Sequence, residues 1–322
     1  MTQEDKDKVA DLTKMLEERV KEFRSSEKWM DHLAFQSRMP HYSFNNCLLI
    51  AMQTRGTATM CQSFSGWKAM DRTVNKGEKG IKIICPTPYK KYSYEPKLDE
   101  NGNVIKTADG TVQKEKVCHV QQGFKVGYTF DVSQTSGAEL PEICTRLNGS
   151  VEGAKDLLKI LQDISPLPLT FEHVDGEANG YYSPAGQKIV VDKDLSANHK
   201  IHTCLHEITH ATLDLNGTDK DASRGLKETE AESVAFVVMK HLLGDKMTAD
   251  DIGQYSFGYL NSWSSDDGLT EMKKAMAIIQ RTSALLIDRI EDVYRQREKA
   301  DEKMTNKEGV VVKEAGHISV HI

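Results

Sequence analysis

Ile201, Leu205, Ile208, Thr212 and Leu215 recur at three- and four-residue spacing, which predicts an amphipathic helix, and within it stands His206-Glu207-Ile208-Thr209-His210. The four-residue interval sets both imidazoles on one side of that helix, one turn apart. Two neutral imidazoles so placed can take adjacent corners of a tetrahedral zinc ion, and Glu207, beside the first, can reach a metal-held water as general base. Such a helix is of use only if another part of the chain folds back to supply a third ligand, and this constrains the architecture more than any other feature.

Separated from His210 by seventeen residues, Glu228-Thr229-Glu230-Ala231-Glu232-Ser233-Val234-Ala235 opens a second predicted helix with an apolar face at Ala231, Val234, Ala235 and Val238. Glu228 and Glu232 are one turn apart on one face of it, while Glu230 points elsewhere. One of the pair can ligate the metal while the other accepts the free ring N–H of a ligating histidine. Glu228 is read as the ligand and Glu232 as the orienting carboxylate; the reverse assignment stays open. The competing reading is that acidic residues in a first turn merely complement the helix dipole. His202, four residues before His206, is read as a solvated helix histidine, with a place beside the metal as the alternative.

The chain has 322 residues, which favours two domains. No apolar run is long enough to span a bilayer, so no membrane partner is expected. The charged start, with Glu4, Asp5, Lys6, Asp7 and Lys8, does not resemble an export signal, and a cytoplasmic location is expected. Six cysteines lie far apart with no Cys-x-x-Cys pair, the pattern of reduced thiols rather than of a disulfide framework. The overall charge of −6 hides an asymmetry: residues 1–137 carry 21 Lys and Arg against 17 Asp and Glu, and the remainder 21 against 31. From Ile50 to Lys91 eight basic residues face two acidic ones.

Helical patterns cover residues 4–24, 29–35 and 44–54, the last with Ser43 as N-cap. Beyond Gly56 the chain reads as strand and turn, with a turn cluster at 76–80 and a strand at 81–84. A hairpin arm is expected after the strand at 81–84, and the polar stretch Tyr89–Lys116, with turn signals at Asn101-Gly102-Asn103 and Asp109-Gly110, reads as an extended or mobile loop before a strand at 124–132. Residues 133–137 read as a linker. Then come a helix at 151–164, strands at 169–173 and 188–191, and helices at 199–215, 226–243, 250–263 and 269–297. The charged end is expected to be flexible or a small hairpin. The fold class is therefore α+β, with an α+β domain over 1–137, a helix-rich domain with a small sheet over 138–300, and a tail over 301–322.

Lysines and arginines along the first domain's strand and turn region, Lys68, Arg72, Lys76, Lys79 and Lys82, can track a phosphate backbone. Tyr42, Phe64, Trp67, Tyr89, Tyr92 or Tyr94 could stack unpaired bases, the usual recipe for sequence-tolerant single-strand binding. Each has a structural alternative. Trp67, between small neighbours, is equally a core anchor, and the lysines can be a solvated hairpin edge that discourages strand pairing.

Taken together, His206–His210, Glu228–Ala235, Tyr181-Tyr182-Ser183-Pro184 and the strand Ile189-Val190-Val191 resemble the zincin metallopeptidase-like domain of ArdC-type antirestriction and LtrC-like proteins of mobile elements, and are similar to the ImmA/IrrE peptidases. Ser43-x-x-Asn46, Leu48-Leu49-Ile50, Gln53, Phe64-x-x-Trp67, Val74-x-Lys76-Gly77-Glu78-Lys79-Gly80-Ile81 and Phe130–Thr135 resemble the ArdC single-stranded-DNA-binding domain. The resemblance covers roughly residues 10–295 and leaves out the 89–116 arm and the tail. It implies a single-stranded-DNA-binding protein with a zinc metallopeptidase domain, acting in antirestriction or DNA protection during conjugation, with a protein substrate on DNA as a further partner. The alternative is a non-proteolytic DNA-protection protein whose metal site is structural.

Overall fold

A computed structural model of the chain describes residues 3–20, 23, 25–140, 151–218, 220–247, 251, 255, 257, 260 and 266–315. Three helices open it: α1 (Gln3–Val20), α2 (Ser26–Gln36) and α3 (Phe44–Thr54). Ser25 and Ser43 cap the second and third by accepting a backbone N–H from the first turn, as the sequence predicts for Ser43. A short strand β1 (Cys61–Gln62), a one-turn-and-a-half helix α4 (Phe64–Ala69) and β2 (Arg72–Val74) follow. The long strands β3 (Ile81–Pro96) and β4 (Lys114–Asp131) come next, and then β5 (Thr135–Gly137). β4 lies between β1 and β3, all antiparallel, and β2 pairs with β5.

A hairpin arm does follow Ile84, and the loop reading of the stretch from Tyr89 is corrected at its two ends. β3 and β4 pair continuously from Ile81 opposite Thr129 to Pro96 opposite Lys114, so residues 89–96 and 114–116 are two-stranded antiparallel ribbon and residues 97–113 form its tip. The turn signals are real but confined to the tip, where Gly102 and Gly110 adopt positive φ and Asp99 accepts the backbone N–H groups of Asn101 and Asn103. Lysines, prolines and a glutamate interrupt the apolar alternation in the ribbon, so only the cross-strand partner reveals the strand. Its base is held along the free edge of β3. The side-chain amide of Asn46 exchanges two hydrogen bonds with the backbone of Ile84, and that of Gln53 does the same with Lys82. Helix α3 thus closes an edge that would otherwise offer unpaired backbone groups.

After residue 150 come α5 (Val151–Ile164), then β6 (Leu169–Glu172), β7 (Gly180–Ser183) and β8 (Lys188–Asp192). β8 is central, parallel to β6 and antiparallel to β7. Helices α6 (Ala197–Leu215), α7 (Arg224–Leu243) and α8 (Asp266–Ala315) complete the described chain. α8 runs beyond the expected helix and takes the charged end to residue 315 into a helix, in place of a flexible end or hairpin. The helix expected at 250–263 lies almost wholly outside the described residues. Among the described residues no helix is long and apolar enough to cross a membrane. The described cysteines, Cys47, Cys61, Cys85, Cys118 and Cys204, are free thiols.

One large core joins the opening helices to the later ones: Leu12, Leu16, Trp29 and Leu49 share it with Leu161, Leu205, Val234 and Ile287. The indole N–H of Trp29, fully buried, donates to Ser233 Oγ on α7 at 3.0 Å, and His241 on α7 bonds the Ser37 carbonyl. A smaller core, with Cys47, Ile50, Cys61 and Ile83, lies between α3 and the base of the ribbon.

Candidate metal centre

Two serine caps set the registers that matter: Ser196 starts α6 and Ser223 starts α7. Ile201, Cys204, Leu205, Ile208 and Ala211 are fully buried, which fixes the rotation of α6 and turns His206 and His210 toward the groove it forms with α7. Ala231, Val234, Ala235 and Val238 do the same for α7, so Glu228 and Glu232 meet the histidines. Glycine is required at 180, where a Cβ would lie 2.7 Å from the Val190 carbonyl and 2.8 Å from Thr203; its absence lets β7 run close beside α6.

Three ligand atoms converge. His206 Nε2 is 3.0 Å from His210 Nε2 and 3.3 Å from Glu228 Oε2, and His210 Nε2 is 3.6 Å from the same oxygen. A tetrahedral zinc with bonds of about 2.0–2.1 Å needs its ligand atoms about 3.4 Å apart. The three separations bracket that edge, and two imidazoles with a carboxylate are a donor set suited to zinc and its neighbours. On the other side of the ring, His206 Nδ1 is 2.9 Å from Glu232 Oε2, and that oxygen is 3.3 Å from His202 Nε2. The geometry brings Glu228 to the converging nitrogens and Glu232 behind them.

His202 is buried rather than solvated, correcting the sequence reading. Its ring packs edge-on against Tyr255 at 4.7 Å, and Tyr255 in turn against Phe236. The spacing His202, His206, His210 already places it on the same stripe, but only the fold supplies Glu232 and Tyr255 around it. A second set of possible ligands, His202, His206 and Glu232, therefore lies behind the first.

Burial disfavours a charged His206, but hydrogen bonds to Glu228 and Glu232 and the charge of Glu207 outweigh it and push the imidazole up to about 10. Hydrogen bonds from His206 and then His210 hold Glu228 well below the usual carboxylate range. Burial works against ionisation of Glu232, yet the partners His202 and His206 bring it down to about 2. The cluster is thus two anionic carboxylates around imidazoles, an environment that attracts a proton or a cation.

The converging atoms open into a cleft of about 640 Å³ bounded by β7, α6 and the start of α7 and lined by Tyr181, Tyr182, Glu207, Asp214 and Arg224 among others. Glu207 stands in this lining beside the two histidines. The Tyr182 hydroxyl donates to Asp214 Oδ2 at 2.7 Å; burial first, then that carboxylate, raises its pKa to about 12. Neither Tyr182 nor Asp214 is singled out as functional by sequence reasoning, since their pairing spans a strand and a helix.

The predicted nucleic-acid residues separate into two groups. Lys68, Lys76, Lys79 and Lys82 are exposed. Trp67 is a correction: it is fully buried, its indole N–H donates to the Phe130 carbonyl at 2.9 Å, and no ring face is open to a base. Arg72 lies 5.9 Å from the centre of that ring and spends its donors on Thr135 and Ala138, tying β2 to β5.

Residues 6–126 match the N-terminal domain of anti-restriction factor ArdC, and residues 119–239 match the Putative metallopeptidase family (DUF6782), a span that contains the whole converging cluster. An uncharacterized protein of Bacillus anthracis is 25% identical over 328 aligned residues, covering 91% of this chain. The chain spans about half, 53%, of that relative's length. Crystal structures of the antirestriction ArdC protein of plasmid R388 are also similar. The metal-free form has a TM-score of 0.41 and 19% identity over 77% of this chain and 85% of that one. The Mn(II)-bound form has 0.40 and 16% over 78% and 84%. The chain therefore joins a segment that matches the ArdC N-terminal domain to one that matches the Putative metallopeptidase family.

Proposed function

We propose that this chain is a zinc-dependent peptidase coupled to a single-stranded-DNA-binding segment, acting in the cytoplasm in antirestriction or in protection of DNA entering with a mobile element. The observation that carries the enzymatic part is the convergence of His206, His210 and Glu228 at 3.0 to 3.6 Å in an open cleft that Glu207 also lines. In this reading the three hold the ion, and Glu232 fixes the tautomer of His206 by accepting from Nδ1. Zinc bound there supplies a Lewis acid for a peptide carbonyl and lowers the pKa of water. Glu207 takes the proton of the attacking water and passes it to the leaving nitrogen. β7 is a sheet edge along the cleft, so an extended substrate can pair with it and lie across the centre.

The match of residues 6–126 to the ArdC N-terminal domain supports DNA as partner, and the exposed Lys68, Lys76, Lys79 and Lys82 are the candidate phosphate contacts. The functional division falls near Gly137, with DNA held by residues before it and hydrolysis carried by residues after it. Metal analysis together with proteolysis, with and without single-stranded DNA, tests the whole reading. Glu207→Gln should keep its zinc and lose peptide cleavage. If that variant protects DNA as well as the parent does, the protection is non-proteolytic, and the metal centre is structural or its proteolysis incidental to protection.

A further inference from the structure

Side chains alternate across the β3–β4 ribbon, so its two faces can be read from the pairing register. On the face of the even-numbered residues stand Lys82, Lys90, Lys114 and Lys116, all exposed, and between residues 82–96 and 114–128 this face carries no Asp or Glu. Tyr92, Tyr94, Phe124 and Tyr128 share it, between 44% and 71% exposed. Lys116 Nζ sits 4.3 Å from the centre of the Tyr92 ring, so cation and ring occupy one surface. None of the three tyrosyl hydroxyls has a hydrogen-bond partner among the described residues.

The opposite face is built otherwise. It holds both acids of the paired strands, Glu95 and Glu115, against Lys91 and Lys125. His119 bonds Ser93 and Glu95, and the Tyr89 hydroxyl donates to Gln121. On that face Tyr89, Gln121, Ser93, Glu95 and His119 bond one another, and the two acids balance the two lysines. Edge lysines that merely prevent aggregation, or tyrosines that merely stabilise a ribbon through cross-strand pairs, have no reason to collect on one face. Exposed rings interleaved with unpaired cations, and no anion, suit one kind of polymer: phosphates for the ammonium groups and unstacked bases for the rings. A duplex hides its bases and would leave the rings bare.

We propose that the even face of the β3–β4 ribbon is a single-stranded-DNA platform, with Tyr94 and Phe124 as stacking residues and Lys90 and Lys116 as phosphate contacts. This rests on the DNA-binding reading above and moves its main contact surface from the 76–82 turn to the arm.

The test uses the whole 322-residue chain and a labelled mixed-sequence single strand, with affinity followed against salt. Tyr94→Ala and Phe124→Ala should each weaken binding about 5- to 150-fold, the range for loss of one stacked base. Tyr94→Phe should restore it. The pair Lys90→Ala/Lys116→Ala should flatten the log–log salt slope by about 1.4, at roughly 0.7 per phosphate. Lys91→Ala/Lys125→Ala on the other face should change neither quantity. Cys118 is exposed on the even face, so bound single strand should slow its alkylation, read by peptide mass spectrometry. Equal losses from both lysine pairs, or no protection of Cys118, would overturn the platform. If binding survives every arm variant but is lost in Lys76→Ala/Lys79→Ala, the platform is wrong and the DNA-binding reading stands. If the unaltered protein binds no single strand at low salt, the DNA-binding reading itself fails.

Discussion

Replacing Glu228 and Glu232 in turn by glutamine separates holding a metal from orienting its ligand. Both substitutions preserve shape and remove one negative charge. Glu228 Oε2 faces the Nε2 atoms of both histidines, so its loss removes a ligand, whereas Glu232 Oε2 faces the far nitrogen of His206 and His202 Nε2 behind it. Loss of such an orienting partner weakens metal affinity about 10- to 100-fold. With free zinc buffered at about 100 times the parent Kd, binding stabilises the parent by about 2.7 kcal/mol. The same zinc would stabilise Glu232→Gln by about 0.4 to 1.4 kcal/mol and Glu228→Gln by essentially nothing. At about 2–4 °C per kcal/mol, the zinc-induced rise in Tm falls from roughly 5–11 °C to roughly 1–6 °C in Glu232→Gln. Thermal denaturation with and without buffered zinc, paired with elemental analysis of the purified variants, reads both numbers. The reverse order, with metal kept by Glu228→Gln and lost by Glu232→Gln, would exchange the two roles. Full retention by both would refute the centre.

Two further outcomes follow from burial. Trp67→Phe should lower stability by about 1–3 kcal/mol, through the orphaned Phe130 carbonyl and the smaller ring, with single-strand affinity unchanged; a loss of affinity at full stability would return Trp67 to the DNA surface. His32 is packed between Phe23 and Phe44, and burial lowers its pKa to about 3 from an ordinary value of 6.5. The unfolded chain therefore takes up the proton first, so the stability due to this site is complete above about pH 6.5 and is lost as the pH falls toward 3. Between about pH 7.5 and 5.5 one such proton removes about 1.4 kcal/mol, and His32→Phe should remove that share of the pH dependence in urea denaturation. An unchanged pH dependence would mean that His32 is solvated.

The local features of this protein are legible without a fold. His206, Glu207 and His210 lie on one helix, and their relative placement follows from 3.6 residues per turn. The serine cap at 43, the pair Glu228 and Glu232 one turn apart, and the glycine turns at 102 and 110 are likewise short-range, because each joins residues within a turn or two. What the tertiary structure decided are approaches between segments. It brought Glu228 to Nε2 and Glu232 to Nδ1, which depends on how α6 and α7 are rotated against each other by their buried faces. It buried His202 behind Glu232 and Tyr255, closed Trp67 under the Phe130 carbonyl, and turned Arg72 inward. It also paired Tyr89–Pro96 with Lys114–Gln121, where neither strand alternates cleanly enough to announce itself. The side-chain pattern of one strand records which residues share a face, but the strand that completes its hydrogen bonds, and hence the charge and aromatic content of the whole face, is set by a partner far along the chain.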